Sequence, residues 1–145
     1  MRIYARRKAR EFIVQALYQW QVTQDSANSL EAQFESAINP RKVDVAYFNR
    51  VLEGCLAHAE ELNNWIVKWS QRELSQLTMV EKAVLMLAFY EMAHVLEVPY
   101  QVIIDEALEL DKHFGAAEGF KLVNGVLDQA AKALRLEEYR KNKEV

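Results

Sequence analysis

The segment AVLMLAFY, residues 83 to 90, decides the fold of this chain of 145 residues. It is the longest unbroken apolar run, and it is far too short to span a bilayer. It does not show the alternation of polar and apolar residues that is typical of a half-buried strand. A helix that is apolar on all sides is buried on most of them. The sequence therefore predicts that residues 80 to 96 form the central helix in the second half of a helical protein.

Helical periodicity continues toward the N-terminus. Apolar residues recur at helical spacing over residues 9 to 20, which predicts a first helix with one continuous buried stripe. Asn28 with Glu31 has the spacing of a capping box and predicts the start of a second helix. Asp44 is expected to cap a long third helix that runs to residue 69.

The segments around and after the apolar run are also helical in pattern. Thr78 and Glu81 are spaced as a capping box for the central helix. Pro99 is expected to open the next helix and Gly115 to close it, in the positions that these residue types favour. The last helix repeats the apolar stripe, and the charged tail EEYRKNKEV is expected to fray.

These patterns predict an all-α bundle of about seven helices and no sheet. One domain, residues 1–145, is expected, because no Gly/Ser linker divides the chain. It is expected to comprise two packed halves, about 1–74 and 75–145. The side chains predicted to be buried are Phe12, Trp20, Leu52, Leu85, Phe89 and Leu127.

Signals for catalysis or metal binding are absent from the sequence. It contains no Gly-rich phosphate loop, HExxH, CxxC or GxSxG motif. The histidines, at positions 58, 94 and 113, lack ligand-like spacing, so no metal site and no cofactor are expected. The lone Cys55 fits a buried core position and a reducing cytoplasm. Four carboxylates of one amphipathic helix are expected to form its solvated face: Asp105, Glu106, Glu109 and Asp111.

The first helix carries an unusual charge. The chain has a formal net charge of −3, yet its first ten residues hold five basic side chains and no acidic one. Cations in the first turn of a helix oppose its macrodipole at about 0.3–1 kcal/mol each, so a bound anion would explain them. A helical projection puts Arg7 and Tyr18 on one exposed face, about 16 Å apart, with Arg10 and Gln15 flanking.

This face is typical of single-stranded nucleic-acid binding, in which basic residues hold phosphates and an exposed aromatic ring stacks on a base. An acidic protein partner or a membrane surface is the main alternative from charge alone. The plain structural interpretation is that the basic residues only keep the helix soluble.

Four segments of the chain resemble the NusB family of bacterial transcription antitermination factors. They are ARRKAREFIVQALYQWQ at the start, VEKAVLMLAFYEM at 80 to 92, VPYQVIIDEALELDKHFGA at 98 to 116 and KLVNGVLDQAAKALR at 121 to 135. The resemblance implies an all-α fold of two three-helix halves, and the expectation that the protein is not an enzyme rests on the missing catalytic motifs. It also implies binding to the boxA sequence of nascent ribosomal RNA together with NusE, a small-subunit ribosomal protein. That complex helps RNA polymerase to read through terminators in the cytoplasm.

The resemblance also assigns residues to roles. It places the second basic RNA contact at Lys121 and a NusE contact at Glu81. Met86 and Leu122 depart from the basic and aromatic residues that similar sequences often have at these positions. The RNA-binding residues expected on the first helix are Arg6, Arg7, Lys8, Arg10, Gln15 and Tyr18.

Two other functions remain open on the sequence. One is a NusB-like accessory domain of a ribosomal RNA cytosine methyltransferase, although residues 1–145 include no cofactor-binding α/β domain. The other is a helical adaptor that binds protein and not RNA.

Overall fold

The computed structural model describes residues 2–115 and 119–143, and these residues form helices and connecting turns without a strand. The all-α prediction is confirmed, with eight α-helices in the described ranges rather than about seven. None of them is both long and apolar enough to cross a membrane. The helices are α1 Arg2–Thr23, α2 Ala27–Phe34, α3 Val45–Ala57, α4 Ala59–Ser70, α5 Met79–His94, α6 Tyr100–Phe114, α7 Gly119–Leu134 and α8 Leu136–Lys143, with a 3-10 helix at Leu74–Gln76.

Helix α5 is the centre of the bundle, as its sequence predicts. Every residue from 83 to 89 is buried, and α5 contacts α1, α3, α4, α6 and α7. The predicted capping box fixes where it begins. The Thr78 amide donates to Glu81 Oε1 at 2.8 Å, and the Glu81 amide donates to Thr78 Oγ1 at 3.0 Å. Both bonds satisfy amides that the helix itself leaves without a partner.

The prediction of one long third helix from Asp44 to residue 69 is wrong. Asp44 does cap α3, since it accepts from the Tyr47 amide at 3.0 Å, but the chain leaves helical geometry at His58 (φ −109°, ψ 19°) and restarts as α4. The break lets the two helices reach different neighbours, because α3 packs on α1 and α5 whereas α4 packs on α5 and α7. Periodicity alone did not show this, since the apolar stripe continues across the break.

Two other helix boundaries differ in detail from the sequence pattern. Ser26, not Asn28, caps α2, accepting from the Ser29 amide at 3.2 Å. Gly115 follows α6 as predicted, but its φ of −115° is not the left-handed conformation for which glycine is usually selected there. Pro99 precedes α6 as predicted.

The C-terminal tail was expected to fray, but it forms α8 as far as Lys143. Arg135, at the junction of α7 and α8, explains the difference. Its buried guanidinium donates to the carbonyls of Met92 at 2.7 Å, Val95 at 3.1 Å and Glu91 at 3.2 Å. These carbonyls lie at the C-terminal end of α5, where the helix dipole attracts a cation; those of Glu91 and Val95 also accept from the amides of Val95 and Val98. Arg135 therefore anchors the start of α8 to the central helix.

One hydrophobic core runs through both predicted halves, and the division near residue 75 stays a prediction. Of the six side chains predicted to be buried, Leu52, Leu85, Phe89 and Leu127 are fully buried. Phe12 and Trp20 are partly buried and pack against the core.

Candidate nucleic-acid interface

Arg10, predicted to flank an exposed RNA-binding face, is buried instead. Its side chain is 5% exposed, and its Nη2 lies 2.9 Å from Oε2 of Glu91, which is 2% exposed. The Arg10 Nε donates to both Glu91 oxygens at 3.2 and 3.0 Å, and the Tyr47 hydroxyl donates to the same carboxylate. Burial alone lowers the pKa of Arg10, but the Glu91 carboxylate more than offsets it and the pKa is raised. Arg10 is therefore a charged core residue that joins α1 to α5.

Arg6 and Lys8 also have acidic neighbours within the chain. Arg6 Nε lies 3.5 Å from Asp44 Oδ2, and its guanidinium stands 4.3 Å from the centre of the Tyr47 ring. Lys8 Nζ lies 3.5 Å from Glu11 Oε2, one turn further along α1. The Arg6 side chain is only 22% exposed and that of Lys8 38%. Neither residue presents an open positive charge.

Arg7 is the most exposed of the four basic residues, at 55% of its side chain. Even so, its Nε donates to both oxygens of Glu106 at 3.1 and 3.2 Å. Glu106 also lies 3.8 Å from Arg10 Nη1, so one carboxylate of α6 faces two arginines of α1. The expectation that Glu106 and Asp111 lie on a solvated face is wrong, because both are buried. The anions that pair with the basic residues of α1 are thus carboxylates of the same chain.

Gln15 and Tyr18 are exposed on α1, as the helical projection predicts, and the Tyr18 residue is 44% exposed. Both border an open cavity of about 660 Å³ between α1, α2, α5 and α6. The sequence did not identify the apolar side chains that share this cavity with Tyr18, which include Val22, Val80 and Phe114. Val80 and Phe114 lie at helix ends, and helical periodicity assigns them to the core. No signal in the sequence distinguishes them from side chains that are fully buried.

Glu81 lies beside the start of α7. A Cβ added at Gly119 would lie 3.0 Å from Glu81 Oε2 and 2.8 Å from Asp111 Oδ2, so a larger residue there would make these carboxylates shift. Neither Asp111 oxygen has a hydrogen-bond partner among the described residues. Burial, and secondly the charge of Glu81, raises the pKa of Asp111. Glu81 thus keeps its capping role while its second oxygen borders the α6–α7 connection.

Lys121 lies in the first turn of α7, two residues after Gly119, and is exposed. Gly115, at the other end of the α6–α7 connection, would place a Cβ 3.3 Å from Val80, which lines the cavity beside Tyr18. Residues 116–118 between them lie outside the described residues. Of the two departures from similar sequences, Met86 is buried, at 1% exposure, and Leu122 is partly buried. Neither presents a fully exposed side chain for RNA.

The predicted RNA-binding residues of α1 thus fall into two groups, one largely buried or paired and one exposed. Arg10 has almost no exposed surface for a ligand, Arg6 has little, and the partly exposed Lys8 is paired with Glu11. Arg7, Gln15 and Tyr18 keep exposed groups along one side of α1, next to an apolar cavity. Such a surface offers a stacking ring and amide hydrogen bonds with few cations, rather than a dense positive patch.

The histidines, which lack ligand-like spacing in the sequence, lie close to carboxylates and to one another in the structure. His113 Nε2 lies 3.6 Å from Glu11 Oε1, at the edge of the α1–α6 contact. His58 and His94, which are 36 residues apart in sequence, stack with ring centres 4.4 Å apart. Glu61 lies beside them, with Oε1 3.6 Å from His94 Nε2. Tertiary structure thus forms a cluster that spacing did not predict.

Comparisons with known proteins show what this chain is similar to. The NusB family matches residues 7–132 of this chain. Transcription antitermination protein NusB of Pectobacterium carotovorum subsp. carotovorum (strain PC1) is 44% identical over 135 residues, which cover 93% of this chain and 97% of that protein. The protein of the same name from Enterobacter sp. (strain 638) is 46% identical over the same shares of each chain. The solved structure of T. maritima NusB superposes with a TM-score of 0.80 at 28% identity, covering 92% of this chain and 96% of that one.

Proposed function

The chain belongs to the NusB family, and on this premise we propose that it is an RNA-binding transcription antitermination factor. In this proposal it binds the boxA sequence of nascent ribosomal RNA together with NusE, and the complex promotes read-through by RNA polymerase. The observation that carries the RNA-binding step is the exposed Tyr18, which stands beside Gln15 and an apolar cavity in a chain of this family.

The chemistry of this surface favours a single strand over a duplex. A half-exposed aromatic ring stacks on an unpaired base for about 1–3 kcal/mol, whereas a duplex hides its base faces. Phosphates are left to Arg7 and Lys121, which are both exposed. Arg7 binds a phosphate only by sharing or leaving its contact with Glu106, so Lys121 is the stronger of the two phosphate contacts in this proposal.

The test is a binding titration of labelled RNA carrying a ribosomal RNA leader boxA, at several salt concentrations. We expect Tyr18→Ala to weaken binding by about 1–3 kcal/mol without changing the salt slope, because stacking releases no counterions. We expect Lys121→Ala to lower the slope by about 0.7, the value for one phosphate of a single strand. Arg7→Ala is expected to lower it by less, since Glu106 already neutralises part of that charge.

Lys141→Ala is the matched control. Lys141 is exposed on α8, and its substitution removes the same charge from the other end of the bundle. It is expected to leave binding almost unchanged. If Lys141→Ala and Lys121→Ala lower the RNA affinity equally, the affinity depends only on the net charge of the protein. Wild-type affinity in Tyr18→Ala would reject the stacking contact.

Glu81 carries the proposed contact with NusE. One of its oxygens is held by the Thr78 amide, and the second lies at the rim near Gly119, where a cationic side chain of a partner can pair with it. Glu81→Gln keeps the capping hydrogen bond and removes the charge. Weaker NusE binding at unchanged stability supports the contact, whereas unchanged binding limits Glu81 to capping.

A protein adaptor that does not bind RNA is the second candidate function, and one observation favours it. Each basic residue from Arg6 to Arg10 has a carboxylate of the same chain within 4 Å, so the helix start carries less free positive charge than its sequence suggests. An adaptor would bind NusE normally and show no salt-dependent affinity for RNA. The titration described above separates the two functions.

A further inference from the structure

His58, Glu61 and His94 meet at a point where three helix ends converge. His58 is the residue that separates α3 from α4, Glu61 lies in the first turn of α4, and His94 is the last residue of α5. One ligand atom from each lies within 4.8 Å of the other two. All three side chains are at the surface, and Tyr90 stacks on the His94 ring with centres 4.9 Å apart.

We propose that this cluster, the His58–Glu61–His94 site, binds a divalent transition metal ion, with Zn²⁺ as the best match. Two imidazole nitrogens and one carboxylate oxygen are a donor set that Zn²⁺ uses with three protein ligands and one open position. Ligand atoms about 2.1 Å from a tetrahedral ion stand about 3.4 Å apart. The 3.6 Å between Glu61 Oε1 and His94 Nε2 is already close to this value.

In this proposal the three ligand atoms, which lie within 4.8 Å of one another, approach the ion by side-chain rotation. The His58 and His94 rings lie nearly parallel, 25° apart, so one must turn for both nitrogens to face the ion. Both residues are exposed, and exposed side chains change rotamer on a nanosecond timescale. An open cavity of about 460 Å³ borders His58 and Glu61 and leaves room for the ion and its water.

The surroundings suit a cation. His94 stands at the C-terminal end of α5, where the helix dipole favours positive charge. Glu60 borders the same cavity as Glu61 and adds a second carboxylate near the ion. A bound ion would connect the α3–α4 junction to the end of the central helix, and binding to the folded state alone would raise its stability.

The test uses the full chain without a histidine tag, titrated with ZnCl₂ by calorimetry and then with CoCl₂ by visible absorption. We expect one ion per chain, the strong visible bands of tetrahedral Co²⁺, and a higher thermal midpoint with Zn²⁺. His58→Asn, His94→Asn and Glu61→Gln are each expected to weaken binding by about tenfold or more, since even indirect partners of a ligand matter this much.

His113→Asn is the matched control, because it removes the third exposed histidine from a different part of the bundle. It is expected to bind Zn²⁺ as the wild type does. Circular dichroism confirms that each variant is folded before it is titrated. No binding by the wild type, or equal binding by the wild type and a His58→Asn/His94→Asn double variant, would overturn the proposal.

Discussion

Replacing Arg10 with Ala is the perturbation that most directly tests the buried network between α1 and α5. Arg10 and Glu91 are 5% and 2% exposed, and the substitution leaves the Glu91 carboxylate in the core with Tyr47 as its remaining hydrogen-bond donor. Removing one partner of a buried ion pair costs about 3–5 kcal/mol, because the other charge stays desolvated. For a chain of this size about 3 °C of thermal midpoint is lost per kcal/mol, so a fall of roughly 10 °C is expected.

Urea unfolding followed by circular dichroism at 222 nm measures this loss, and Arg7→Ala is the comparison. Arg7 also pairs with a buried carboxylate, Glu106, but its own side chain is 55% exposed and Arg10 Nη1 stays 3.8 Å from the same carboxylate, so a smaller loss than for Arg10→Ala is expected. Replacing Arg10 and Glu91 together with Met should recover much of the stability, since no unpaired charge then remains. A loss below about 1 kcal/mol for Arg10→Ala, or no recovery in the double variant, would refute the assignment of Arg10 to the core.

Three further outcomes follow from the packing and the charges. Leu85→Ala is expected to lower the unfolding free energy by about 2–5 kcal/mol through lost burial and a cavity, and a smaller loss in urea unfolding would place Leu85 outside the tight core. Arg135→Ala should lose about 1–3 kcal/mol, because it removes the hydrogen bonds to the end of α5 and leaves the Met92 carbonyl without this donor. Arg140→Ala should change stability little in the same assay, because the Arg140 side chain is 63% exposed. Burial, and secondly the nearby Glu53, raises the pKa of Glu31 from 4.5 to about 7, so the folded state holds a proton that the unfolded state releases. The stability that protonated Glu31 contributes is complete below about pH 4.5 and is lost as pH rises through about 7. Glu53→Gln should flatten this fall in the unfolding free energy between pH 5 and pH 8. An unchanged dependence on pH would contradict the coupling between Glu31 and Glu53.

The basic segment of α1 shows how an inference from a single helix led to an incorrect placement. Helix α1 begins at Arg2, so Arg6, Arg7, Lys8 and Arg10 lie in its second and third turns, beyond the first-turn effect of the macrodipole on which the inference rested. The anions that pair with the three arginines are Asp44, Glu91 and Glu106, which are 38 to 99 residues away in sequence from their partners. A single helix shows neither these distant carboxylates nor the burial of Arg10, because its projection separates apolar from polar residues and treats every charge as exposed. Conversely, Glu106 and Asp111 were assigned to a solvated face on the same assumption.

The sequence by itself determined the fold class, the central helix, most of its caps and, through four matching segments, the family. Those features depend on local spacing: an unbroken apolar run, a Thr–Glu capping pair and a Pro at a helix start act within a few residues of one another. Tertiary structure alone decided which charges are buried in pairs, where the helix predicted from residue 44 breaks, and that Arg135 holds the end of α5. It also brought His58 and His94 together with Glu61. These features depend on contacts between residues far apart in sequence, whose free energies appear only when the helices pack.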